Sequence, residues 1–159
     1  MTTFASHTKV PAASLQALAD VTDPLGTTWV SFGSVAWTAT GSAPVLGNGQ
    51  LTANYMATAH TYIYFLRLVW GSTTTGGTGD WRFNAAFNLA NANNYMGGVI
   101  FDTSATKYYP AAAYLLDTTP HIQAIGSWTA AGVVGNVSAT HPITFASGDI
   151  LTLVGSFQK

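Results

Sequence analysis

The run HTYIYFLRLVW, residues 60 to 70, constrains the fold more than any other part of this chain. β-Branched and aromatic residues crowd it, which is a strand signature. Side chains on a strand alternate between the two faces of its sheet. Tyr62, Tyr64, Leu66, Leu68 and Trp70 form one row; Ile63, Phe65 and Val69 form the other, interrupted by Arg67. Both faces must therefore be covered. An opposing sheet covers one, and the second cover is either a loop of the same chain or a neighbouring subunit. The expectation leans to the subunit, with Ile63, Phe65, Arg67 and Val69 as interface candidates. Charged residues make up only 7% of the chain and Glu is absent, so little charge keeps copies apart.

From Thr28 onward the pattern is the same in kind. Strands are predicted near 28–32, 35–39, 50–57, 60–70, 80–86, 96–102, 107–116, 121–128 and 149–157, with a further short one near 142–146. In GDILTLVGSF, Leu151, Leu153 and Phe157 share one side while Thr152 and Ser156 share the other. Turn-forming clusters separate the runs: GSAPVLGNG, GSTTTGGTG, NANN, DTSAT, DTTP, TAAGVVGN and ASGD. Strands do not alternate with helices, which argues against a parallel α/β sheet. The expected fold is an all-β, antiparallel two-sheet sandwich over residues 28–159.

Residues 1–27 differ. PAASLQALADVTDPLG holds one plausible helix, capped by Ser14, with Leu15, Leu18 and Val21 on partial helical spacing and Pro24 and Gly26 ending it. This segment reads as a short N-terminal arm or docking segment. Its first residues have neither a basic n-region nor an apolar h-region, and no stretch reaches the ~20 apolar residues of a membrane helix. A chain made and folded in a cytoplasm is expected, with no membrane partner.

No constellation announces a reaction. The loop GSTTTGGTGDWRF, 71 to 83, lacks the Lys and the following helix of a phosphate-binding loop, so it reads as a wide hairpin turn whose glycines supply positive φ. His7, His60, His121 and His141 share no metal-ligand spacing, and the chain has no Cys. Asp80, Asp102, Asp117 and Asp149 fall at predicted strand ends, where Asp stabilises turns. No Glu is present to act as a buried acid, and G-x-S-x-G is missing. Neither cofactor nor metal is expected. A net charge of −1 without a basic cluster gives nucleic acid no electrostatic handle. Trp29, Trp37, Trp70, Trp81 and Trp128, with Tyr108 and Tyr109, could stack on sugars, or they could be core and interface.

WTATGSAPVLGNGQLTANYM, the apolar strand, GSTTTGGTGDWRF, GGVIFDTSATKYYPAAAYL and PITFASGDILTLVGSF together resemble a recurrent domain of tailed-bacteriophage virion proteins. The residues that carry the resemblance are Trp37, Pro44, Gly47, Asn48, Gly49, Tyr55, Gly71, Gly76, Gly79, Trp81, Phe83, Asp102, Pro142, Phe145, Gly148 and Asp149. It spans about residues 29 to 157. The family pattern carries a Gly after the Tyr strand and Leu-Pro after Trp-x-Phe; here those places read Thr58-Ala59 and Asn84-Ala85. The resemblance implies a jelly-roll-like sandwich, a homotrimer, a place in the virion after assembly in the host cytoplasm, and no catalytic residues. It implies a structural protein of a phage particle, expected to be a small trimeric capsid decoration protein. Leu15 and Leu18 are its candidate particle anchors and other capsid or tail proteins its partners. The competing expectation is a tail-tip or fibre module that binds host-surface glycans through Trp37 and Trp128.

Overall fold

The computed structural model describes residues 28–33, 35–58, 60–84, 95–116, 121–126 and 135–158. Its strands are β1 (Val30–Ser31), β2 (Trp37–Ala39), β3 (Gln50–Ala57), β4 (Thr61–Val69) and β5 (Trp81–Asn84), then β6 (Tyr95–Asp102), β7 (Lys107–Leu116), β8 (His121–Gly126), β9 (Gly135–Asn136) and β10 (Ile150–Gln158). One hydrogen-bonded ladder runs β1-β3-β4-β10-β6-β7-β8-β5-β2, with β9 beside β8. Every pairing in it is antiparallel.

The ladder cannot lie flat. Its end strands, β1 and β2, are separated in the chain only by residues 32 to 36. That link spans at most about 22 Å, whereas nine strands laid flat would put the ends about 38 Å apart. The sheet therefore bends over itself, and its two arms face each other as antiparallel layers. Aromatic rings meet across the gap. Trp37 of β2 lies edge-on to Trp70, just past the end of β4, with ring centroids 5.9 Å apart. Trp81 of β5 stacks on the same Trp70 at 5.6 Å.

Alternation decides what fills the space between. Tyr64, Leu66 and Leu68 of β4 are buried, as are Leu151, Leu153 and Phe157 of β10 and Met96 and Ile100 of β6. The last described strand, β10, lies inside the ladder between β4 and β6: Leu153 pairs with Leu66 on one side and Gly98 on the other. A Cβ at Gly98 would lie 2.2 Å from the Thr152 carbonyl oxygen and 2.7 Å from Leu153 Cδ2. Glycine there lets Leu153 press against the backbone of β6.

Three expectations are corrected. The glycine-rich segment after β4 is no hairpin, because β4 pairs with β3 and β10 whereas β5 pairs with β8 and β2. Residues 70 to 80 instead cross from one layer to the other, bridged on the way by the pair Val45 and Thr75. Positive φ is retained at Gly77 (63°) and Gly79 (87°). Second, residues 142–146 form no strand. The Phe145 amide donates to the Ala139 carbonyl at 3.0 Å, which closes a loop, and Phe145 packs its ring on Trp70 and Trp81. Third, Gly135 and Asn136, expected within the turn TAAGVVGN, form β9 beside β8; neither carries a hydrophobic signal. The proposed arm, residues 1–27, lies outside the described residues.

Candidate interaction surface

The described residues show no assembled chemical centre. They contain no group of three or more His, Asp or other ligand side chains that could hold a metal ion. The carboxylates do architectural work instead. Asp149 is 2% exposed; its Oδ1 accepts the Thr103 amide and its Oδ2 the Ala146 amide, each at 2.8 Å. Asp102 Oδ1 accepts the Ala105 amide at 2.9 Å and the Ser104 hydroxyl at 2.7 Å, closing the β6–β7 turn. Those bonds, the Ala105 amide foremost, hold its carboxyl below the usual carboxylate range. Asp80 Oδ2 accepts the Asn136 side-chain amide at 2.8 Å. Of the histidines, His60 is exposed and His141 half-buried; His7 and the side chain of His121 lie outside the described residues.

Most residues that carry the phage resemblance converge on one end of the sandwich. There the segments 40–49, 70–80, 102–106 and 137–149 leave and re-enter the ladder. Asn48 Oδ1 accepts the Thr73 amide at 2.9 Å, and Thr74 donates its hydroxyl to the Leu46 carbonyl at 2.5 Å. Trp81 Nε1 donates to the Gly76 carbonyl at 2.8 Å. The motif residues thus build a hydrogen-bonded pole rather than a site.

The outer side of the ladder is different. Register sets its rows across β3, β4, β10 and β6: Asn54, Phe65, Val154 and Gly97 in one, Thr52, Arg67, Thr152 and Val99 in the next, then Gln50, Val69, Ile150 and Phe101. Met56, Ile63 and Ser156 form a row on the other side of Phe65. Tyr108 and Pro110 of β7 continue the rows of Phe101 and Val99. Arg67 is the one charged side chain among these positions. The four expected interface residues Ile63, Phe65, Arg67 and Val69 therefore share this outer face.

A depression of about 360 Å³ opens on it, lined by Trp29, Asn54, Ile63, Phe65 and Val154. Trp29 is 50% exposed and Val154 46%. Trp29 reaches the groove because β1 pairs with the far edge of β3, Ser31 opposite Asn54. Val154 was legible in the alternation of β10, between Thr152 and Ser156. Nothing in the sequence alone sets Trp29 beside Ile63. Along the same face Tyr108, 69% exposed, stacks on Phe101 at 4.6 Å.

The sugar-stacking candidates fall elsewhere. Trp37 packs edge-on against Trp81 at 5.0 Å and Trp70 at 5.9 Å, and stacks on Phe83 at 6.3 Å. Its ring belongs to the aromatic cluster between the layers. Trp128, Leu15 and Leu18 lie outside the described residues. No helix among the described residues is long and apolar enough to cross a membrane.

No family model matches the chain, and no solved structure matches it. Among curated proteins the chain is similar to a "Mu-like prophage FluMu defective tail fiber protein" of Haemophilus influenzae, at 29% identity over 110 residues. That match covers 68% of this chain and 17% of the relative, so the chain spans about a sixth of the relative's length. The similarity is a distant link to phage structural proteins.

Proposed function

We propose that this chain is a non-enzymatic structural subunit of a tailed-phage particle, a small jelly-roll-like decoration protein that acts as a trimer on the capsid surface. One observation carries the reading: an outer sheet face whose described positions hold a single charge and an open apolar groove. A face of that kind marks an interaction surface. The distant tail-fibre relative and the all-β antiparallel architecture are consistent with a particle role. In this reading Ile63, Phe65, Arg67 and Val69 meet neighbouring copies, while Leu15 and Leu18 anchor the subunit to capsid or tail proteins. Trimers capping symmetric sites would staple adjacent shell subunits, each apolar Å² buried contributing about 25 cal/mol.

The test is occupancy. Leu15→Asp/Leu18→Asp should abolish binding to purified phage heads while the far-UV circular dichroism of the all-β fold is retained. Wild-type occupancy by that variant sinks the anchor. Bound subunits cross-linked on heads should run as three chains, about 50 kDa for a 16.6 kDa subunit.

Exposed Tyr108, stacked on half-buried Phe101, with Tyr95 at 70% exposure, favours a second reading. A tail-tip or fibre module would use such rings to stack on host-surface glycans. Tyr108→Ala would then remove binding to host envelope material. The original candidate Trp37 would first have to leave its core cluster, so Trp37→Ala should lower stability before it changes glycan binding.

A further inference from the structure

The groove raises a question that its residues can answer: what lies on it before the subunit reaches a particle? We infer that residues 10–21 of the same chain seat in the groove formed by Trp29, Asn54, Ile63, Phe65 and Val154, as a self-cover that particle docking displaces. The inference rests on the interface reading of the outer face proposed above.

Three observations point to this occupant. The first is where the chain enters. Trp29 is itself a wall of the groove, so the segment that precedes it is tethered at the rim. β1 runs antiparallel to β3, which brings the chain in from the end of the ladder nearest Ile63. A short tether holds its segment at an effective concentration in the millimolar range.

Reach is the second. From Trp29 to Val154 the groove crosses β3 and β4 to β10, about 14 Å at the usual strand spacing. The chain between Leu18 and Trp29 can extend up to about 36 Å. A segment carrying Leu15, Leu18 and Val21 can thus reach across the groove with slack.

Chemistry is the third. The groove is apolar and bordered in the next row by Arg67. The segment offers Leu15, Leu18 and Val21 on partial helical spacing and places Asp20 and Asp23 beside them. Apolar side chains meet the groove while a carboxylate lies within reach of Arg67, the one cation among the described positions of that face.

The functional consequence is coupling. Leu15 and Leu18 cannot cover the groove and grip the shell at once. Engagement of the anchor would bare Ile63 and Phe65, so subunits would meet on the particle and not in solution.

The chain contains no Cys, which makes thiol bridging clean. In the full chain, Leu18→Cys/Val154→Cys is treated at low protein concentration with a short bismaleimide, beside the control Leu18→Cys/Thr75→Cys. Thr75 is exposed at the opposite, motif-built pole. The expected result is an intrachain bridge at 16.6 kDa, formed roughly tenfold faster than in the control. Bridges between chains, equal rates in the two variants, or no bridge overturn the inference.

A companion measurement separates it from the reading it rests on. Leu15→Asp/Leu18→Asp uncovers the groove and should raise the solution mass measured by light scattering. If the cysteine pair bridges but this variant stays monomeric, the seat stands and self-assembly through the face falls. If no bridge forms but the face still drives association, the seat falls alone.

Discussion

Asp149 offers the sharpest test of how this fold is held. Its carboxylate is buried and accepts two backbone amides, Thr103 through Oδ1 and Ala146 through Oδ2. It thereby ties the β6–β7 turn to the loop that leads into β10. Asp149→Ala removes both acceptors and takes this partner from the Thr103 and Ala146 N–H groups. Hydrogen bonds to a charged group contribute about 1.5–3 kcal/mol each, so the loss should be about 3–6 kcal/mol. That is a large part of a total stability of about 5–15 kcal/mol. Asp149→Asn is the more telling variant. It keeps the shape, but one of its two polar ends is an NH₂ that must face a backbone N–H. Asn should therefore recover less than half of the loss. For a domain of this size about 2–4 °C of melting temperature accompany each kcal/mol, so the Ala variant should melt roughly 6–24 °C lower. Urea unfolding followed by the fluorescence of the buried Trp70 and Trp81 gives the free energies directly. If Asp149→Asn lies within about 1 kcal/mol of the wild type, the two bonds do not act as an anion-specific clamp, and the reasoning is wrong.

Three further outcomes follow from single positions. At Gly77, φ is 63° and a Cβ would lie 2.1 Å from the Ser42 carbonyl oxygen; Gly77→Ala should cost about 2–5 kcal/mol from the left-handed backbone and the clash together, read as a lower urea midpoint. Thr106 holds φ 53° in the β6–β7 turn without being glycine, so Thr106→Gly should stabilise by up to about 1 kcal/mol in the same measurement. Burial pushes the Tyr64 phenol above its ordinary value. The folded chain then keeps a proton that the unfolded chain loses above about pH 10, so stability should fall as pH rises past that point. Tyr64→Phe should flatten that alkaline decline; an unchanged slope would assign it to other groups.

Elements whose signal is local could be read from the chain. Period-two alternation located β10 and its buried residues Leu151, Leu153 and Phe157, and the doubly apolar run located β4. Pairing is another matter, because it is set by contacts far apart in sequence. The glycine-rich segment carries the residues of a turn, and nothing local says that the strands on either side belong to different layers. Likewise ITF at 143–145 alternates like a strand, yet Phe145 is spent on Trp70 and Trp81. The outer row of β4 was visible as a surface in need of a cover. Its groove was not, since it forms only when β1 brings Trp29 across β3 to Ile63. Trp37 illustrates the same limit: composition marks it as a ring, and only the bend of the ladder places that ring between layers.

The interior position of β10, between β4 and β6, bears on how the molecule is made. A ribosome delivers the chain from its N-terminus, so β3–β4 and β6–β7 can each close as hairpins while β10 is still unborn. Until it arrives, the edges of β4 and β6 that it joins both present unpaired amides beside apolar rows, the geometry through which sheets mispair with other chains. Closure of the two halves then waits on long-range pairing, the slow step in β proteins. A nascent chain stopped short of Ile150 would lack the one strand that pairs with both β4 and β6. The interval between synthesis of β6 and synthesis of β10 is therefore the window in which those two edges are open to wrong partners.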